Sequence, residues 1–400
     1  MRLTIVQYAG DYREAWERFE RGGKATYQAQ RYSVAFVSDL AKRMEQLSVV
    51  CGVTGEPYDV VLPNGVRAIG GGLRNGFDPN DLLPLVAGTT PDRLVLVTPL
   101  APLLRWASGR KLRTLATLAD SFETRGVRNR IRNRWLAYRL NRQNVEWVGN
   151  HGISACLSLV RIGVRAGKII PWDWPPSHEP SAYARRRLEP SKQLALAYVG
   201  SVTEEKGVGD LLRALGRLRN EGVTPSLTII GRDDGSRFKA LAASLGLENQ
   251  VHFAGLIANE DVPAAMRAAD VVVIPSRHEY PEGLPLTIYE ALASRTPILA
   301  SDHPMFRGAL RHEESALVFT AGDERALAAA IRRISADPAL YEALSERSEA
   351  AWEALQLPVK WGTLIERWLS DDPADQQWLM RHALPSGLYD PQIAARSQGD

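Results

Sequence analysis

The residue types best suited to chemistry stand in the passage Val271–Leu292, VVVIPSRHEYPEGLPLTIYEAL. An apolar run ends at Pro275, a polar loop follows, and Pro285 falls where the first residue of a new helix is expected. A helix starting there would turn the backbone N–H groups of Gly283 and Leu284 outward, where free donors and the helix dipole favour a phosphate. Glu282 precedes that turn and Glu290 lies one to two turns into the helix. Carboxylates so placed are good acceptors for the paired hydroxyls of a sugar or a ribose. The spacing of the two Glu by itself reads as solvated helix charges; the strand, loop, Gly-Leu-Pro and helix around them reverse that reading in favour of binding.

A second loop of the same kind is Gly200-Ser201-Val202-Thr203-Glu204-Glu205-Lys206-Gly207, between an apolar run and a helical pattern. Gly200 permits close backbone approach, and Lys206 is a mobile point charge suited to a diphosphate. The spacing is not that of a Walker A loop. Gly231-Arg232-Asp233-Asp234-Gly235 and Gly255-Leu256-Ile257 follow two further apolar runs, and the free backbone groups of the latter suit a nucleobase. Taken singly, each of these two reads as an ordinary turn.

The elements that must position these loops alternate along the whole chain. In the first half, strands are expected at Leu3–Tyr8, Ser48–Val53, Arg93–Thr98, Leu112–Leu118 and Glu146–Val148, with helical patterns at Tyr27–Glu45 and Arg125–Asn144. In the second half, Leu194–Val199, Ser226–Ile230, Val251–Phe253, Val271–Ile274 and Ile298–Ala300 are apolar enough to be buried on both faces. Helices are expected between and after them at Gly209–Glu221, Phe238–Leu245, Val262–Ala269, Leu286–Ala293 and Glu324–Ala336. This is the pattern of a doubly wound parallel α/β sheet, present twice. Pro171–Lys192, with five prolines, reads as the linker, so the expected domains are 1–174 and 175–358. A helix near 359–370 carrying Trp361, Leu364, Ile365 and Trp368 would pack back on the first, leaving 371–400 as a loose tail. Ligands of such sheets sit outside the carboxyl ends of strands, here in a cleft expected between two facing domains.

Together these loops resemble the donor domain of the retaining glycosyltransferases of family 4, which have the GT-B fold of two Rossmann-like doubly wound domains. The similarity runs from about Leu194 to Ile334 and includes Glu282 to Glu290, Gly200 to Lys206, and Pro297-Ile298-Leu299-Ala300-Ser301-Asp302. It implies that Lys206 contacts the donor diphosphate, Glu282 the transferred sugar and Glu290 the ribose. Gly200, Ser201, Arg232, Leu256, Gly283, Leu284 and Pro285 would complete the donor site. The family commonly has Arg where this chain has Ser201, and a hydroxyl cannot neutralise charge as a guanidinium does, so either Lys206 acts alone or Arg232 or Arg277 swings in. The first half resembles the acceptor domain less sharply. Gly22-Gly23-Lys24 stands where a glycine loop would meet the donor phosphate, with a plain turn as the simpler reading. Asp120 stands where relatives carry a catalytic His, while Trp147–Asn150 and Lys168–Pro171 fit the closing strands.

The resemblance implies transfer of a sugar from a nucleotide-diphosphate sugar to a glycan, lipid-linked or small-molecule acceptor, with retention, in polysaccharide or glycolipid biosynthesis. A non-catalytic nucleotide-sugar or glycan-binding protein on the same scaffold is the second reading. A nicotinamide oxidoreductase is disfavoured, because the first strand is not followed by Gly-x-Gly-x-x-Gly and Gly70-Gly71-Gly72 is a poor substitute. No Asp-x-Asp element follows a strand in the donor half, and the His residues lack ligand spacing, so neither a metal nor another cofactor is expected. His278, His303 and His312 read as loop or surface residues, the first two bordering the donor pocket.

Composition bounds the partners. Of 400 residues, 49 are Lys or Arg and 46 Asp or Glu, a net +3 too small to make the whole chain a nucleic-acid binder. Cys51 and Cys156 are too few for a disulfide framework and suit a reducing cytosol. The N-terminal apolar run, Leu3–Val6, is shorter than a signal peptide requires and reads as a strand. No segment reaches the roughly 20 apolar residues of a membrane span, so a cytoplasmic location is expected. One local exception stands out. Arg125–Arg142 holds seven Arg and no acid, with Val127, Ile131, Trp135 and Tyr138 at helical spacing. It reads either as a packed helix with a solvated basic face or as a helix lying on anionic lipid at the inner membrane face.

Overall fold

The computed structural model describes residues 1–122, 126–189, 193–232 and 236–397. Arg125 at the head of the basic helix, Pro190 and Lys192 of the linker, Asp233, Asp234 and Gly235 of the third loop, and the last three residues of the tail lie outside the described residues. The chain divides into two compact units, one formed by Met1–Ala25, Ala29–Pro175 and Leu357–Ile393, the other chiefly by Pro176–Gln356.

The first unit holds strands β1 (Arg2–Ala9), β2 (Gln46–Val53), β3 (Pro57–Val61), β4 (Val66–Gly71), β5 (Arg93–Leu96), β6 (Arg113–Leu118), β7 (Val145–His151) and β8 (Ile169–Trp172). They form one sheet in the order β3-β4-β2-β1-β5-β6-β7-β8, parallel except for the β3–β4 hairpin. The hairpin and β4 escaped the sequence pattern: β3 is mostly exposed, and β4 ends in glycines that read as a turn. Apolar layers cover both faces of the sheet. Val359, Trp361, Leu364, Ile365 and Trp368, from and just before the helix Trp361–Leu369, complete one of them beside Ile5, Val49 and Leu115.

The segment after Asp371 is not a loose tail. It forms the helix Pro373–Arg381, and Leu379, Ala383, Leu384 and Tyr389 are buried in the first unit. The Leu384 N–H donates to Ile169 O at 2.7 Å, capping the open side of β8. Arg93, only 5% exposed, grips Asp371 with Nη2 at 2.7 and 2.9 Å from the two carboxylate oxygens. The signal lay in Trp378, Leu379, Leu384 and Tyr389, spread among polar residues that masked them.

Near the start of this unit, Gly22 and Gly23 do not form a loop at the end of β1. A helix, Tyr12–Glu20, intervenes, and the two glycines terminate it. Gly22 N–H donates to Phe19 O at 2.9 Å and Gly23 N–H to Arg18 O at 2.8 Å, with Gly22 at φ +75°, the bonding of a Schellman motif. The helix Gln30–Ala41 begins later than the sequence pattern suggests.

The second unit holds β9 (Ala195–Val199), β10 (Ser226–Ile230), β11 (Val251–Gly255), β12 (Val271–Ile274), β13 (Ile298–Ser301) and β14 (Leu317–Phe319), all parallel, in the order β11-β10-β9-β12-β13-β14. Strands β12 and β13 are buried along their length, as their unbroken apolar runs require. Strand β11 is not buried on both faces as expected; it is an edge strand with His252 exposed, because only β10 pairs with it. An 18-residue helix, Pro338–Leu355, follows the element at Glu324–Ala336. The strand order reverses between β9 and β12, the switch point at which doubly wound sheets open a crevice at their carboxyl ends. The loop carrying Lys206 leaves β9 and the loop carrying Glu282 leaves β12.

Among the described residues, no helix is long and apolar enough to cross a membrane.

Candidate active site at the β9–β12 switch point

Lys206 and Glu282 meet at this switch point. Lys206 Nζ donates to Glu282 Oε2 at 2.5 Å, with side chains only 15% and 9% exposed. Ser276 Oγ donates to the same oxygen at 3.0 Å. The ammonium also lies over the Tyr280 ring, 4.4 Å from its centroid, where the negative face of the ring favours a cation. Burial is the main cause that raises the Tyr280 and Tyr198 phenols, followed by the Glu282 charge, so both stay neutral. Tyr198 uses its hydroxyl to hold the first turn of the loop, donating to Ser201 O at 2.6 Å.

The two loops are locked together by backbone. Gly207 adopts φ +76°, and a Cβ there would sit 2.1 Å from Pro275 O, so the turn after Lys206 rests directly on the end of β12. Arg277 completes the lock. Its N–H donates to Glu205 O at 2.9 Å. Its guanidinium grips Asp210 with Nε at 2.7 Å and Nη2 at 2.7 Å, and Nη2 also reaches Glu204 Oε1 at 2.7 Å. Arg213 bonds the same two acids at 2.7 and 2.8 Å. Burial would raise the Asp210 carboxyl, but Arg277 and Arg213 outweigh it and hold it below the usual carboxylate range. Of the alternatives for assisting Lys206 on a diphosphate, Arg277 is therefore ruled out: its fork is taken up by acids beneath the loop. Arg232 is exposed at the end of β10, its carbonyl accepting from Val202 N–H at 3.0 Å.

The helix after the loop runs Leu286–Ala293, and Pro285 is its N-cap, with φ −61° and ψ 135°, rather than its first helical residue. The extended ψ places Pro285 O to accept from Ile288 N–H at 3.0 Å. Among the described residues, the N–H groups of Gly283 and Leu284 donate to no protein acceptor. Thr287 ties the helix start to the other loop, donating to Val199 O at 3.3 Å, just before Gly200.

Glu290, buried in that helix, does not touch Lys206. Asn259 Nδ2 donates to its Oε1 at 2.8 Å. Burial pushes its carboxyl up to about 7, with Asn259 pulling the other way. Leu256, the residue after β11, is 60% exposed, and Gly231 N–H donates to Gly255 O at 2.9 Å.

His303 is not a surface residue. It is 2% exposed, and burial pushes it down to about 4. Met305 N–H donates to Nδ1 at 3.2 Å, which leaves Nε2–H to donate to Tyr280 O at 3.1 Å, fixing the neutral ring and the loop before Glu282. His278 pairs with Asp302 at 2.9 Å, and His312 is exposed. Among the described residues, no group of three or more His, Cys, Asp and Glu is placed to hold a metal ion.

Asp120 belongs to the first unit, at the end of β6, where burial raises its carboxyl. Asn150 Nδ2 donates to its carbonyl at 2.9 Å and so fixes the turn. Sequence reasoning missed Asp210, Glu204, Arg213, Ser276 and Asn259. Asp210 alone left a sign: an acid between Gly209 and Leu211 on the apolar face of the helix Val208–Asn220 must find a buried cation.

Known proteins resemble this chain in two ways. It is 32% identical over 176 residues to the D-inositol 3-phosphate glycosyltransferase of Salinispora arenicola, covering 41% of this chain and 39% of that protein. It is 30% identical over 216 residues to the glycogen synthase of Mycobacterium tuberculosis, covering 52% and 46%. The alignments thus span less than half of these curated relatives. In fold it is similar over nearly its whole length to sucrose-phosphate synthase from Thermosynechococcus elongatus (TM-score 0.66, 19% identity, 99% of this chain and 100% of that one). It is also similar to HepE of Anabaena, solved in complex with UDP-glucose (TM-score 0.62, 16% identity, 89% and 95%). The fold is GT-B, and the stretch that carries Lys206, Glu282 and Glu290, residues 182–351, matches the family model for glycosyl transferases group 1.

Proposed function

We propose that the chain is a retaining glycosyltransferase of family 4 that moves a sugar from a nucleotide-diphosphate sugar to a glycan, lipid-linked or small-molecule acceptor. The observation that carries this reading is the Lys206–Glu282 contact, a buried cation and acid on the two loops of the switch point. Lys206 is the group for the donor diphosphate, and the free N–H groups of Gly283 and Leu284 add donors beside it. Glu282, held by Ser276, accepts from hydroxyls of the transferred sugar once Lys206 swings to phosphate. Glu290 accepts from the ribose through the oxygen that Asn259 leaves free, and exposed Leu256 covers the base.

In the reaction the bond between the anomeric carbon and the diphosphate oxygen breaks while the acceptor oxygen bonds to the same face of that carbon. The leaving phosphate oxygen takes the acceptor's proton. Charge grows on the diphosphate, where Lys206 and the helix start stabilise it. In this reading Lys206 replaces a metal, so chelation leaves turnover unchanged. Asp120 is assigned to the acceptor side, and the setting is polysaccharide or glycolipid biosynthesis in the cytoplasm. Ser201, in place of the guanidinium common in the family, favours a second reading as a non-catalytic nucleotide-sugar binder.

The test is a thermal-shift screen of nucleoside diphosphates and their sugars, followed by assay of nucleotide diphosphate released on adding acceptor. Stabilisation by a nucleotide sugar with acceptor-dependent release supports transfer. Stabilisation without release supports the second reading, and no stabilisation by any nucleotide removes both.

A further inference from the structure

The helix Val127–Leu140 of the first unit presents an unusual outer surface. Its buried residues are Asn133, Ala137 and Leu140, whereas Val127, Ile131, Trp135 and Tyr138 are 63%, 56%, 60% and 56% exposed. The packed-helix reading of these four residues is thus overturned. At roughly 100° per residue they fall within about 80° of arc, on the side opposite the buried residues. Arg128, Arg132 and Arg139 flank the stripe on one side, Arg130 and Arg134 on the other.

The segment Gly126–Arg142 has six Arg and no acid. Among the described residues Arg128, Arg130, Arg132 and Arg134 have no carboxylate partner. Trp135 and Tyr138 meet edge to face with centroids 6.0 Å apart. Beside them opens a cavity of about 530 Å³ whose lining includes Arg134, Trp135, Tyr138 and Asn141.

We infer that this face docks on an anionic phospholipid bilayer, with the helix lying in the plane of the headgroups. Aliphatic and aromatic side chains flanked on both sides by unpaired guanidinium groups match the two layers of such a surface, acyl boundary and phosphate. A polynucleotide would satisfy the arginines but leave Val127 and Ile131 in water. A second copy of this chain would bring six like charges against six. The bilayer alone answers both the charge and the apolar stripe. The inference stands apart from the donor site, since no residue of the second unit enters it.

The experiment is flotation of the full chain with vesicles of phosphatidylcholine alone or mixed with phosphatidylglycerol. Binding is expected with the mixed vesicles only and should weaken with salt. The double variants Ile131→Ser/Trp135→Ser and Arg128→Glu/Arg132→Glu should each reduce binding at least about tenfold while melting as the wild type does, since all four side chains are exposed. Any of four results would overturn it: no flotation with the mixed vesicles, equal binding to phosphatidylcholine, a dimer that the stripe variants dissolve, or displacement from vesicles by RNA. Nucleotide-sugar binding measured without vesicles should be identical in wild type and variants, which separates this test from that of the donor site.

Discussion

Lys206 Nζ and Glu282 Oε2 stand 2.5 Å apart, although 76 positions separate the two residues in the chain. Each sits in the loop after a central buried strand, and the strand order makes those loops neighbours. A buried pair of this kind contributes little net stability when complete, but removing one partner strands the other in a poorly hydrated place.

Lys206→Ala and Glu282→Ala are each expected to lower transfer by more than tenfold. Lys206→Ala should also cost about 3 kcal/mol of stability, because Glu282 keeps only Ser276 as a donor. The double change Lys206→Met/Glu282→Gln should cost less than the sum of the single ones, measured by denaturant unfolding. Wild-type turnover by both single variants would refute the catalytic assignment.

Glu290 gives a pH signature. Its folded pKa, about 7, exceeds the ordinary value of 4.5, so between those limits the native chain holds a proton that the unfolded chain has lost. Stability from this group is therefore full below pH 4.5 and declines as pH rises toward 7, by about 3 kcal/mol in all. Glu290→Gln should flatten that slope and raise the melting temperature of the ligand-free protein at pH 8. Ribose hydroxyls would favour the ionised form, so nucleotide affinity should grow from pH 6 to pH 8 in the wild type and not in the variant. Titration calorimetry at the two pH values checks this.

Arg277 acts beneath the site. Arg277→Lys keeps the charge but loses the two-pronged grip on Asp210, leaving Arg213 as the remaining guanidinium on that acid. A loss of about 2 kcal/mol is expected, with a raised KM for the donor, because the backbone contacts between the two loops remain but Asp210 and Glu204 beneath the Lys206 loop lose a shared guanidinium. An unchanged melting temperature would show that the network is dispensable.

Ser201 is exposed, and only its backbone carbonyl is used by Tyr198. Ser201→Arg should therefore fold normally and add a guanidinium beside the diphosphate position. Donor affinity is expected to rise about tenfold, the worth of one charge-assisted pair. A lowered affinity in the same assay would place the diphosphate elsewhere.

Much of the second unit was legible because central parallel strands are buried on both faces and must be written as unbroken apolar runs; Val271–Ile274 is such a run and was bounded correctly. The exposed edge strands obey no such constraint, which hid β3 and blurred β11. Within the site, Lys206 and Glu282 were readable since each follows a buried strand. The choice between Lys206 alone, Arg232 and Arg277 is not legible in the sequence, because whether a cation such as Arg277 is free depends on Asp210, 67 positions away, and on a fold that sets them 2.7 Å apart. The surface of the basic helix was equally closed to inspection: periodicity locates an apolar stripe but does not say whether protein covers it.

The first unit is assembled from both ends of the chain. Trp361, Leu364, Ile365 and Trp368 are buried against residues made more than 200 positions earlier, such as Ile5, Val49 and Leu115. A growing polypeptide leaving the ribosome must therefore wait, with that apolar layer uncovered, until the whole intervening unit has been synthesised. Residues 1–175 expressed alone should be sticky and dependent on chaperones, whereas a fusion joining residue 175 to residue 357 by a short bridge should fold as a self-sufficient piece.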